Sequence, residues 1–164
     1  MPEGSAGPPS GGLVWELPSP FAISRIVEAA EVDRLGHVNN AVYLAWCESV
    51  AWEHADHVGT GWDAWQRLDR AMAVHAVRLQ YLAPAFAADE VRAANWIVRN
   101  DGRLRATRRF QIQRTSDGRQ LLQGEIDYVC IEISSGKPRR MPSEFLSAYA
   151  VLPDVAAAWE ARPT

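Results

Sequence analysis

Between Ala41 and Val58 apolar side chains recur at Val42, Tyr43, Leu44, Ala45, Trp46, Cys47, Val50, Ala51, Trp52, Ala55 and Val58, too densely for a single stripe. Apolar positions all round a helix mark one that other elements enclose. The pattern predicts a buried central helix, with Asn39 or Asn40 as N-cap and Gly59 and Gly61 as its stop. Elsewhere the period drops towards two. Phe21, Ile23, Ile26 and Val27, with Arg25 and Glu28 interleaved, predict a first strand over 21–30 that leads into an Asp33 loop. A strand over 71–81 follows the helix and is broken by Pro84. Strands over 91–99 and 103–114 flank the turn Asn100-Asp101-Gly102, and Ser116-Asp117-Gly118 turns the chain again into 121–133. The last four strands read as an antiparallel meander. Short helices are expected over 62–68, with Trp62 and Trp65 on one face, and over 142–150.

One helix and five strands in this order give an α+β domain, a five-stranded antiparallel sheet wrapped around one long central helix. The domain is expected over 13–152. Residues 1–12, rich in Gly, Pro and Ser, read as a disordered tail, and 153–164 as a C-terminal tail.

Composition narrows the class. With 164 residues, 48% of them hydrophobic, the chain can bury a full core. A net charge of −3 gives no overall attraction to nucleic acid. Cys47 and Cys130 lie in apolar segments without a closely spaced Cys or His, which fits buried thiols in a reducing cytoplasm rather than a disulfide or zinc site. No uninterrupted apolar run approaches the eighteen or so residues of a membrane span, and the first residues lack the pattern of a secretion signal. His54 and His57 form a near-pair with Glu53 and Asp56 close by, but not a convincing ligand pattern; neither metal nor cofactor is expected.

The chemistry concentrates in 31–48, EVDRLGHVNNAVYLAWCE. Backbone N–H groups at a helix start, reinforced by the helix dipole, face any negative charge that develops on a nearby carbonyl oxygen. Asn40 and Ala41 would supply those amides. Asp33, seven residues earlier on a glycine-containing loop, can reach the same carbonyl carbon as nucleophile or as base for a water. The plain reading of Asp33 is a loop cap or a partner of an arginine. His37 and Asn39 flank the turn and could orient the acid, and a loop histidine bonded to backbone is the plain reading of His37. Glu48, about 12 Å further along the helix axis, is a rival carboxylate, or a glutamate held by backbone or an arginine at a subunit contact. Arg99, Arg103, Arg105, Arg108, Arg109, Arg114 and Arg119 crowd the hairpin region, and Lys137, Arg139 and Arg140 the chain beyond it. They form either a solvated strand face or a basic rim.

Asp33, Gly36, His37, Val38, Asn39, Asn40 and Tyr43 spell D-x-x-G-H-V-N-N-x-x-Y, a string that resembles the hotdog-fold acyl thioesterases of the 4-hydroxybenzoyl-CoA and acyl-ACP thioesterase superfamily. The resemblance covers roughly residues 20–150 and includes a P-R-R-M-P segment at 138–142 like those that close many members. It implies a hotdog fold and hydrolysis of an acyl-CoA or acyl-carrier-protein thioester. It further implies Asp33, His37, Asn39, Asn40 and Glu48 as candidate catalytic residues, and Gly36, Ala41, Tyr43, Arg139 and Arg140 as candidate substrate contacts. Leu35 stands where plant acyl-ACP thioesterases carry an asparagine, and 79–84 offers no further acid, which favours the simpler Asp33 scheme. Relatives on another branch use a helix carboxylate that reaches the partner subunit's site, so Glu48 stays open. Two other functions remain: a non-catalytic acyl-thioester binding module, and a hydroxyacyl-thioester dehydratase on the same fold. A homodimer or homotetramer is implied, because pairing two sheet edges satisfies their open backbone groups.

Overall fold

The computed structural model describes residues 12–163, so the tail expected over 1–12 lies, Gly12 apart, outside the described residues. Five antiparallel strands, β1 (Phe21–Ile26), β2 (Arg70–Tyr81), β3 (Glu90–Asn100), β4 (Arg105–Arg114) and β5 (Gln120–Glu132), form one sheet in the order β1-β3-β4-β5-β2. This corrects the expected four-strand meander. Only β3, β4 and β5 follow one another as neighbours, while β2 lies at the far edge, paired to β5 from Arg70↔Glu132 to Tyr81↔Leu122. The reason is the segment after β2. It does not turn back on its strand but crosses to the β1 side, where the Ala85 carbonyl accepts from the Val38 N–H at 2.9 Å and the Ala88 N–H donates to the Val27 carbonyl at 2.9 Å. Gly124 lets β2 close onto β5, since a Cβ there would collide with the Arg78 carbonyl.

The central helix α1 (Asn40–His57) lies against the inner face of the sheet. Tyr43, Trp46, Cys47 and Val50 pack on Val91, Ala93, Phe110, Ile112, Leu122 and Ile126, where the period-two alternation brings apolar side chains to one face. Burial pushes the Cys47 thiol up to about 12, and both cysteines are buried and unpaired. The helix is not enclosed all round. One sheet covers one side, and Ala41, Ala45, Glu48 and Trp52 stay exposed. Trp52 is partly covered by α2 (Trp62–Leu68), its ring 4.5 Å from Trp65, and Trp65 meets Phe145 of α3 (Ser143–Ala148) at 6.2 Å.

The outer face of the sheet has a second core. Leu17 and Val155 bury Ala94, Trp96 and Val98, and the Trp96 Nε1–H donates to the Pro18 carbonyl at 2.7 Å. Val155 belongs to α4 (Pro153–Glu160), so the expected C-terminal tail is instead a packed helix, started by Pro153 at its first position. Its Trp159 also lies over the Arg99, Arg109 and Arg162 guanidinium groups. Arg109 is buried in this layer and paired with Glu16 at 2.9 Å. Among the described residues no helix is long and apolar enough to cross a membrane.

Arg108, one residue earlier on β4, faces α1 and is 3% exposed. The expectation that the hairpin arginines form a solvated face therefore fails at both Arg108 and Arg109. Arg108 Nη1 donates to Asn95 Oδ1 and to His54 Nδ1, the latter at 2.8 Å. His54 stacks on Phe21 at 4.8 Å. Burial, and then the Arg108 charge, push its pKa down from 6.5 to about 4. The ring is therefore neutral near pH 7, and its Nδ1 is an acceptor. Its 3.1 Å approach to Asn95 Oδ1 is then two acceptors sharing one guanidinium donor.

The sign of the pH effect follows. The unfolded chain takes up a proton on this histidine near pH 6.5 and the folded chain only near 4, so the stability it contributes is complete above about 6.5 and is lost as pH falls towards 4. Urea midpoints of the native protein should drop between about pH 7 and pH 5, and the drop should be smaller in His54→Gln, whose amide oxygen can still accept from Arg108. An equal drop in both proteins would contradict this account.

Candidate functional site

The site is built where the loop after β1 enters α1. Val32 and Val38 form an antiparallel bridge, and inside it the Asp33 N–H donates to the His37 carbonyl at 2.9 Å. The chain reverses through Gly36, whose φ of +85° is open to glycine and strained for other residues. Gly36 is thus a turn former at an exposed tip. Asp33 Oδ1 accepts from the Leu35 N–H at 2.8 Å, an Asx turn, while Oδ2 has no hydrogen bond to any described residue. The aspartate is therefore a loop cap with one oxygen to spare.

Of the two candidate caps, Asn39 is the one used. Its Oδ1 accepts from the Ala41 N–H at 2.9 Å, and its carbonyl accepts from the Val42 N–H at 2.9 Å. The Ala41 N–H is already taken by the cap, whereas the Asn40 N–H has no acceptor among the described residues and stands free at the positive end of an 18-residue helix. The Tyr81 hydroxyl donates to the Asn40 carbonyl at 3.1 Å and ties the end of β2 to the same residue. His37, Asn40, Tyr43, Tyr81, Leu82 and Pro84 line a cavity of about 270 Å³ at this point.

Tyr43 shapes that cavity as a wall. It is 2% exposed, and its hydroxyl accepts from the Ala85 N–H at 3.0 Å, so it offers little polar surface. Burial raises its pKa. Sequence reasoning assigned no role to Glu31 or Tyr81. Glu31 accepts from Trp46 Nε1 at 3.0 Å, from the Glu28 N–H at 2.9 Å and from Arg25 at 2.8 Å. Burial works to raise its pKa, but those three partners together hold the carboxyl below the usual range. The charged Glu31 thereby fixes the loop to α1.

The other candidates lie apart. Glu48 is exposed, makes no ion pair or hydrogen bond with a described residue, and borders a different cavity on α1. One chain alone thus does not bring Glu48 into the cavity at the helix start. Arg139 pairs with Glu132 at 3.2 Å, and Arg140 is exposed beside it. Both sit where β2 begins, the length of a twelve-residue strand, roughly 35 Å, from the Tyr81 end beside Asn40.

Residues 27–149 match the model of the thioesterase-like superfamily, and the chain belongs to that family. Among solved structures it is similar to a 1,4-dihydroxy-2-naphthoyl-CoA thioesterase from Synechocystis, with a TM-score of 0.72 and 19% identity over 80% of this chain and 96% of that one. It is also similar to the hypothetical protein SAV2348 from Staphylococcus aureus in complex with CoA, with a TM-score of 0.72 and 16% identity over 90% and 89% of the two chains. The probable thioesterase YbaW from Escherichia coli superposes with a TM-score of 0.69 and 20% identity over 78% and 95%. At such identities the likeness establishes the fold, which is the hotdog fold.

Proposed function

We propose that this protein hydrolyses an acyl thioester carried on CoA or acyl carrier protein. The observation that carries the reading is the free Asn40 N–H at the head of α1, next to a loop whose Asp33 keeps one carboxylate oxygen unengaged. A thioester carbonyl seated at the helix start would place its oxygen at that amide. Asp33 then acts in one of two ways. It attacks the carbonyl carbon, giving a mixed anhydride as the thiolate leaves, and water cleaves the anhydride; or it takes a proton from the water that attacks. In both schemes the negative charge appears on the oxygen that Asn40 faces. Membership of the thioesterase-like superfamily supports this reading over a binding module or a dehydratase.

The working unit in this proposal is at least a dimer. β2 is an edge strand with Val74, Val77 and Tyr81 exposed along it. Antiparallel pairing of two β2 edges about a two-fold axis sets the Arg70 end of one strand beside the Tyr81 end of the other. Arg139 and Arg140 of the second copy then approach the Asn40 cavity, where they meet the phosphates of CoA or the acidic face of a carrier protein. His37, which lines the cavity, orients the acid or the substrate.

Asp33→Asn is expected to lower kcat by orders of magnitude with the melting temperature little changed, since size and polarity are kept while the charge goes. Glu48→Gln should retain most activity, and if it rather than Asp33→Asn abolishes thiol release, the helix carboxylate is the acting group. Sedimentation should give a species of twice the 18.2 kDa chain or more; a fully active monomer at nanomolar concentration would refute the shared site.

A further inference from the structure

A second cavity, of about 170 Å³, lies between the latter half of α1 and the inner face of the sheet, walled by Trp52, Met72, Ile97, Ala106, Tyr128 and Tyr149. Its volume is close to the roughly 150 Å³ that holds a benzene ring in an apolar core. Polar groups interrupt the apolar lining: Arg108, the Glu48 carboxylate at the rim, and the Tyr128 and Tyr149 hydroxyls. Arg108 is 3% exposed, and no carboxylate of the described residues lies within ion-pairing distance. Its Nη1 donates to neutral acceptors, Asn95 and His54, and the neutral Tyr149 side chain, with its ring 5.4 Å from the guanidinium, also accepts from it. The charge is solvated by dipoles but not neutralised, an expensive state for a buried cation. Trp65 also lines the cavity, and its Nε1–H is buried with no acceptor among the described residues.

The helix connects this cavity to the site. Ala41, Leu44, Glu48, Ala51 and Ala55 follow one another at spacings of three and four, so they form one stripe along α1. From Ala41 to Glu48 is about 10 Å along the axis, and to His54, which Arg108 touches, about 20 Å. An acyl group with its carbonyl at the helix start can lie along this stripe with its far end in the cavity. Glu48 is at the exposed rim, not at the Arg108 floor.

We propose that this cavity receives the far end of the acyl group and that Arg108 and the Trp65 Nε1–H select a carboxylate there, making ω-carboxyacyl thioesters the preferred substrates. The assignment rests on the thioesterase reading above. Arg108 supplies the charge and one fork of donors; Trp65 supplies a neutral donor. An unsubstituted chain fills the same volume and leaves both donors unanswered.

The test compares binding of non-hydrolysable thioether analogues of tetradecanedioyl-CoA and tetradecanoyl-CoA, chains long enough to reach Arg108, by calorimetry, with hydrolysis of the two parent thioesters followed in parallel. Wild-type protein should bind the tetradecanedioyl analogue about tenfold more tightly than the tetradecanoyl one, the scale of one charge-assisted hydrogen bond. Arg108→Gln should bring the ratio to about one, and Trp65→Phe should lower it about threefold. Because Arg108 also joins Asn95 to His54, Trp65→Phe, which removes the N–H while keeping an aromatic ring, decides the matter if Arg108→Gln does not fold. Equal binding of the two analogues, binding of neither, or a preference unchanged in the folded variants would overturn the proposal. Hydrolysis of either thioester in that case leaves the thioesterase reading standing. Selective binding that the variants abolish, without hydrolysis, supports the carboxylate pocket and removes the thioesterase reading alone.

Discussion

One charged group ties β1, the loop and α1 together where the helix begins. The Glu31 carboxylate takes hydrogen bonds from Trp46 on the helix, from the Glu28 backbone and from Arg25 on β1. These add to the Asn39 N–H bond to the Glu31 carbonyl and to the contact of Arg25 over the Trp46 ring, which join the same pieces of chain. An ionised carboxylate with three donors is a stable anchor in a half-buried place, whereas removing any one donor would leave it short. With the loop so held, the Asn39 carbonyl and side chain take two of the first-turn donors and Asn40 is left over. The same tether holds the Asp33 hairpin against the helix start. A capped helix without this anchor would still form, and the bridge at Val32 and Val38 would hold the spare amide near the acid, but with fewer ties to β1.

The helix is one-sided as a consequence of having a single sheet. Its buried face carries Tyr43, Trp46, Cys47 and Val50, and its open face carries Glu48 and Trp52 beside a cavity. The outer face of the sheet, by contrast, is covered by the chain's own segment around Leu17 and by α4. Coverage is therefore complete where the chain folds back on itself and incomplete along the β2 edge and the open side of α1. Those are the surfaces that the proposed substrate and second copy would occupy.

Much of this could be read from residues alone, because local rules governed it. The helix boundaries, the short Trp62–Leu68 helix and the turns at Asn100-Asp101-Gly102 and Ser116-Asp117-Gly118 follow from periodicity and turn chemistry. The position of β2 was not legible, since strand order is set by where a crossing segment lands and not by the strand's own pattern. Nor could the cap be chosen between Asn39 and Asn40, for both are good caps and only the bridge at Val38 decides. The α4 helix is no shorter than the Trp62–Leu68 helix and carried signals of its own, Pro153 at its start and Val155 and Trp159 four residues apart. Arg108 did leave a signal that went unused: it falls in step with Ala106, Phe110 and Ile112, so period two alone puts it on the buried face. Reading it with its arginine neighbours as one basic group obscured that. Nothing in the sequence could show that Trp65 lacks an acceptor, which depends on three elements meeting.

The central claim is that the Asn40 N–H is the donor that faces the substrate carbonyl while Asn39 keeps the Ala41 N–H engaged. Backbone amide NMR measures this directly, with ¹⁵N-labelled protein titrated with a non-hydrolysable acyl-CoA analogue that keeps the carbonyl oxygen. The account predicts a large downfield proton shift at Asn40 and a small one at Ala41. A shift confined to Ala41, or to amides away from the start of α1, would contradict it.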